Sequence, residues 1–121
     1  MYDILKESYN TKDLAQKFKK DNSSVAIFGC SLEGKLLLYA MLQHDIKVDY
    51  FIDSNKKFFG KYYLGIKTIS AEELAKLSLD AHIFIAHQWI IKALEKLNKL
   101  NFKNVYPSSD FLKSIDISKK I

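Results

Sequence analysis

Val25-Ala-Ile-Phe-Gly-Cys-Ser-Leu-Glu-Gly-Lys-Leu36, VAIFGCSLEGKL, decides how this chain folds. Four apolar residues run into Gly29, a short polar turn follows, and Leu32, Leu36, Leu37, Ala40 and Met41 then recur at helical spacing. A brief, fully apolar run ending in glycine suits a strand buried on both faces, as in a parallel sheet. The stretch therefore reads strand, tight turn, helix, with the helix expected over residues 32–44 and Leu36 on its buried side.

The same alternation continues outward. Lys47-Val-Asp-Tyr-Phe-Ile-Asp53 predicts a second strand, and residues 54–64, SNKKFFGKYYL, a loop. Gly65-Ile-Lys-Thr-Ile69 predicts a third strand. Ser70-Ala-Glu-Glu73 is a capping box that opens a brief helix over 72–77. Ala81-His-Ile-Phe-Ile-Ala86 is a fourth strand. Residues 89–100, WIIKALEKLNKL, form a helix with Ile90, Ala93, Leu94 and Leu97 inward, and Asn101 ends it in a left-handed conformation. Asn104-Val-Tyr106 is a last strand, and residues 110–114 a final helical turn. Upstream, Thr11 is expected to cap a helix in which Leu14, Ala15 and Phe18 share a face.

Strands alternating with helices across short loops define an α/β fold: a doubly wound, mostly parallel five-stranded sheet of order 3-2-1-4-5 with helices on both faces. Residues 1–23 are expected as an N-terminal helical segment, 24–115 as the domain and 116–121 as a tail or linker. The loops after Gly29 and after Ala86 then flank the point where strand order reverses, which is where such sheets bind ligands.

Composition narrows the function classes. With 121 residues there is room for one core. The net charge of +5 comes entirely from lysine. Without arginine, the usual bidentate reader of guanine and phosphate, specific nucleic-acid binding is disfavoured. No apolar run approaches the ~20 residues of a membrane span. The opening MYDILKESYN lacks a secretory pattern, and the one cysteine, Cys30, excludes an internal disulfide. A cytoplasmic location is expected, and no Cys/His spacing predicts a zinc site.

Gly29 and Gly34-Lys35 fit the start of a P-loop, G-x-x-x-x-G-K, but Leu36 stands where Ser or Thr would hold magnesium. Gly29, Ser31 and Gly34 come closer to the dinucleotide turn G-x-G-x-x-G. Gly29 supplies the tight turn, Gly34 permits close helix packing, and Asp53 follows Gly29 by 24 residues, placed to bond a ribose hydroxyl. Ser31 departs from the middle glycine. Its Cβ crowds a pyrophosphate, while its hydroxyl can donate to a single phosphate oxygen or cap the helix. Lys35 adds charge if it points to the turn.

His87 and Gln88, just past the fourth strand on the ligand side, are further candidates for contacting a base or sugar. Cys30 sits near a helix N-terminus, where thiolates are favoured, but no partner base is identifiable, and a small packing residue is the simpler role. His82 and His44 are expected to be structural. Phe58, Phe59, Tyr62 and Tyr63 alternate with Lys56, Lys57 and Lys61; such rings can stack bases, but cover for the sheet edge or a dimer contact is the favoured role. Trp89 is expected in a packing contact at the site border. A response-regulator receiver needs acids after the first strand, and Gly29-Cys-Ser31 excludes it.

The runs VAIFGCSLEGKLLLYAMLQHDIKVDYFIDSN, FFGKYYLGIKTISAEEL and AHIFIAHQWIIKALEKLNKLNFKNVY resemble a Rossmann-like domain of bacterial surface-sugar biosynthesis proteins. Such domains precede the β-helix of sugar O/N-acyltransferases and accompany FkbM-type methyltransferases and some glycosyltransferases. The resemblance covers residues 24–107, with FID and GIKTIS as its landmarks. It implies a nucleotide or nucleotide-sugar site at Gly29, Ser31, Gly34 and Asp53. A UDP-sugar or another nucleotide sugar is the favoured ligand, and NAD(P) the second. No acyltransferase β-helix repeats are present, so the expectation is a binding domain in polysaccharide or sugar metabolism that is not catalytic alone. A downstream catalytic domain in a longer chain and a homo-oligomer are the possible partners. The alternatives are an interaction or scaffold domain that has lost its ligand, or a small NAD(P)-dependent or sugar-transferase component.

Overall fold

A computed structural model of the chain describes residues 4–6, 9–86 and 90–118. The elements run α1 (Thr11–Asp21), β1 (Val25–Phe28), α2 (Leu32–Gln43), β2 (Tyr50–Ile52), a 3₁₀ turn (Lys56–Phe58), β3 (Tyr62–Tyr63), β4 (Ile66–Ile69), α3 (Ala71–Leu77), β5 (His82–Ile85), α4 (Ile90–Lys99), β6 (Asn104–Pro107) and α5 (Ser109–Lys113). The sheet order is β3-β4-β2-β1-β5-β6. Leaving out β3, this is the predicted 3-2-1-4-5 arrangement, and all pairings among those five strands are parallel.

The sixth strand is a correction to the five expected. β3 pairs antiparallel with β4, Tyr62 opposite Lys67 and Tyr63 opposite Ile66, within what reads as a loop. Its register is fixed by a turn at Leu64-Gly65, both at positive φ. Tyr63 packs edge-on against Phe51 at 5.0 Å, whereas Tyr62 stays exposed. The tyrosines thus cover a sheet edge with one ring only.

Alternation along the strands builds two cores. Val25 and Ile27 of β1 join Phe51, Phe84 and Tyr106 beneath α1, α2 and α5. Ala26 and Phe28 join Ile52, Ile69, Ile83, Ile85 and Val105 beneath α3 and α4. β1 and β5 are buried along their whole length because both faces carry helices.

Three local expectations change. Asn10, not Thr11, caps α1, its side-chain Oδ1 accepting the N–H groups of Lys12 and Asp13 at 3.0 and 3.1 Å. In α2 the buried residues are Gly34, Leu37, Leu38, Ala40 and Met41; Leu32 and Leu36 face outward at 72% and 41% exposure. A P-loop is therefore excluded by the missing Ser/Thr alone, not by burial of Leu36. In α4 Ala93, Leu94 and Leu97 are buried, while Ile90 is exposed. Asn101 does take the left-handed conformation that ends α4, with φ 69°.

Candidate functional site

β1 lies between β2 and β5, so strand order reverses at β1, and the carboxyl ends of these three strands meet at one edge. Of the residues singled out from the sequence, Gly29, Cys30, Ser31, Gly34 and Asp53 converge there through direct contacts. His87 and Gln88, with Trp89, lie outside the described residues.

Ser31 is the hub of the turn. It caps α2 in an extended conformation, its hydroxyl oxygen accepting the Gly34 N–H at 3.2 Å. The same hydroxyl donates to the Ala86 carbonyl at 3.1 Å, tying the turn to the end of β5. Its carbonyl accepts the Tyr63 hydroxyl at 3.1 Å and the Lys35 N–H at 2.9 Å. Gly29, at φ 130°, uses a conformation L side chains rarely adopt and donates its N–H to Ile52 at 2.8 Å. Gly34 has a steric reason: a Cβ there would run into the Gly29 carbonyl oxygen. The missing side chain lets α2 begin directly over the turn.

Asp53 closes this knot from β2. One carboxylate oxygen accepts the Cys30 N–H at 3.1 Å and the other the Asn55 N–H at 2.9 Å. Each oxygen keeps a second lone pair, so the carboxylate is oriented and still able to accept from a hydroxyl. Lys35 does not reach the turn; its Nζ lies 5.7 Å from the centre of the Tyr39 ring, further along the helix.

Beside the knot opens a groove of about 570 Å³ between the segment after β2 and α4. Phe28, Phe58 and Ala93 give it an apolar lining, Asp53, Ser54 and Asn55 form one wall, and Lys92 and Lys96 the other. Its size falls in the range of small-molecule sites. Lys57 Nζ sits 5.1 Å from the centre of the Phe58 ring. Lys96 pairs with Glu72 of α3 at 3.0 Å. Sequence reasoning did not single out Lys92 or Lys96. They are two lysines among many, and only the fold brings them opposite Asp53.

Cys30 is half-buried, its sulfur 3.5 Å from the Thr68 hydroxyl. Burial pushes the thiol's pKa up; the Thr68 contact partly opposes this and the Asp53 charge adds to the rise. A thiol held protonated is a poor nucleophile. His82, at the amino end of β5, is buried and bonds Tyr106 Oη through Nδ1 at 2.8 Å, beneath the Phe18 ring. Burial, reinforced by Lys17, lowers its pKa to about 4 against the pull of Asp21 and Asp80. His44 ends α2 and contacts Ser114 through Nε2 at 3.0 Å. Both histidines thus join structural elements far from the groove.

Among the described residues, no helix is long and apolar enough to cross a membrane. Residues 21–105 match the family model described as C2185-like, N-terminal. No curated protein matches the chain. Among solved structures, it is similar to RSP, a Rex-family repressor, with a TM-score of 0.54 and 13% identity over 82% of this chain and 53% of that one. The same repressor in complex with beta-NAD+ and operator DNA gives 0.52 and 14%, over 83% and 52%. UDP-D-quinovosamine 4-dehydrogenase from Vibrio fischeri gives 0.53 and 22%, over 80% of this chain and 89% of that one. At these identities the likeness is one of fold, and the chain spans about half the length of the repressor.

Proposed function

The chain belongs to the C2185-like, N-terminal family, and we propose that it serves as a nucleotide- or nucleotide-sugar-binding module that is not catalytic by itself. The observation that carries this reading is the groove at the carboxyl edge of the sheet, where Asp53 is fixed by two N–H bonds beside an apolar lining. Such a carboxylate accepts ribose hydroxyls, and open α/β sheets take ligands at this edge. Gly29, Cys30, Ser31 and Gly34 shape the turn that borders the groove, and His87 and Gln88, next in sequence after Ala86, are proposed to contact the ligand as well.

Two solved structures of similar fold lend support: one is in complex with beta-NAD+ and operator DNA, and the other is a UDP-D-quinovosamine 4-dehydrogenase. The resemblance to surface-sugar biosynthesis domains favours a UDP-sugar or related nucleotide sugar over NAD(P). On this proposal the chain works in bacterial polysaccharide or sugar metabolism, in the cytoplasm, with a catalytic domain elsewhere.

A second reading, a scaffold domain that has lost its ligand, has its own observation. Ser31 spends its hydroxyl on Gly34 and Ala86, and Asp53 takes up the Cys30 N–H, so these groups of the turn are bonded without a phosphate. A thermal-shift panel of UDP-sugars, CMP-sugars, NAD(P) and S-adenosylmethionine separates the two. Ligand at 100 times its dissociation constant adds about 2.7 kcal/mol of stability. A shift with a nucleotide or nucleotide sugar is expected; silence across the panel favours the scaffold.

A further inference from the structure

We propose that phosphate recognition in this chain lies on α4, at Lys92 and Lys96, and not at the glycine turn, so that the groove takes a nucleoside monophosphate group with its ribose at Asp53. The inference deepens the nucleotide reading and rests on it.

Several of the turn's N–H groups are already committed, which leaves a phosphate chiefly the first N–H groups of α2, close to the Asp53 carboxylate. The Gly29 N–H goes to Ile52, the Cys30 N–H to Asp53 and the Gly34 N–H to Ser31. Lys35 stands over Tyr39. A pyrophosphate seated there must displace several of these bonds and approach past the Ser31 Cβ, where the dinucleotide turn has glycine.

The opposite wall has what the turn lacks. Lys92 and Lys96 are four residues apart in α4, hence on one face, and both line the groove with Ala93 beside them. Two ammonium groups match a phosphate dianion as point charges. Lys96 is held by Glu72, but this is a partly exposed pair at 36% and 53% side-chain exposure, the kind that contributes little and exchanges readily. A dianion competes well against the Glu72 carboxylate for Lys96.

Charge also orients the ligand. The Asp53 carboxylate repels phosphate and accepts hydroxyls, so the ribose diol belongs at its wall and the phosphate at the lysine wall. Phe58 supplies the apolar contact for a base, with Lys57 over its ring and the buried Phe28 and Ala93 behind it.

The test is calorimetric titration of the full chain with UMP and AMP, with uridine and adenosine as phosphate-free controls. Lys92→Met/Lys96→Met keeps most of the apolar stems and removes both charges. It should weaken monophosphate binding at least about tenfold, the scale of a charge-assisted bond, and leave nucleoside binding unchanged. Glu72→Gln, which releases Lys96, should tighten monophosphate binding about threefold, a gain that general damage to the fold would not produce. The proposal is overturned if monophosphate affinity is unchanged in both variants, or if it is lost in Ser31→Ala at the turn instead. Should the unsubstituted chain bind neither the monophosphates nor the nucleosides, the nucleotide reading itself falls and the inference with it.

Discussion

At the amino ends of the central strands, polar groups face one another and are consumed. Asp49 accepts the Val25 N–H at 3.0 Å, its own N–H returns to the Val25 carbonyl at 2.8 Å, and His82 is sealed beneath Phe18 against Tyr106. A cavity of about 470 Å³ lies there too, but its charges sit in opposed pairs, Lys19 with Asp45 and Lys47 with Asp49. At the carboxyl ends, the turn around Ser31 is equally well bonded, yet the adjoining groove is lined by a fixed carboxylate and by two lysines of α4, of which Lys96 pairs outward with Glu72 of α3 and not with Asp53. Both ends have space. Only the second has charge laid out across an apolar floor, and that difference is why function is placed there.

The comparison can be broken at several points. The largest effect is expected at the turn. Gly34→Ala drives a methyl into the Gly29 carbonyl, which is backbone and cannot step aside. A loss of more than about 3 kcal/mol in urea unfolding, or failure to fold, is expected from such overpacking. Near-native stability would show that α2 is not seated on the turn as described.

Next comes the amino end. The pKa of His82 is about 4 in the folded protein, against an ordinary value of 6.5. Between these values the unfolded chain binds a proton that the folded one refuses. Stability is therefore full above pH 6.5 and falls as the pH drops toward 4, by roughly 3 kcal/mol in all. Other groups titrate in the same window, so the measurement is the difference in pH slope between the unsubstituted chain and His82→Gln. Equal slopes would mean that His82 is not buried in neutral form.

A smaller effect is expected at Ser31. Ser31→Ala removes the cap on Gly34 and the bond to Ala86, and should cost about 1 kcal/mol. It should leave nucleotide affinity within about twofold if phosphate is read on α4. A large loss of affinity with unchanged stability would return the phosphate to the turn.

How much of this was legible depended on the kind of signal. The apolar runs of β1 and β5 announce their burial, and with the glycine turn they predict the strand order. β3 is two tyrosines among lysines and glycines, too short for periodicity, and it exists because β4 offers an edge. Leu36 lies outside the buried face of α2, and because Leu-Leu-Leu-Tyr-Ala-Met-Leu is apolar almost all round, spacing does not select a face. Asp53 could be found from its distance to Gly29. Its bonds to Cys30 and Asn55 could not, and neither could the pairing of residues 53–58 with 92–96, since that closeness belongs to the fold and leaves no spacing in the sequence.

The central claim is that the carboxyl-edge groove is where the ligand binds. It is tested most directly by mapping amide chemical-shift changes in the ¹⁵N-labelled chain on addition of UMP. The account predicts changes concentrated at Asp53–Phe58 and Lys92–Lys96. Changes concentrated instead at Asn22–Val25 and Asp45–Asp49, around the opposite cavity, would contradict it.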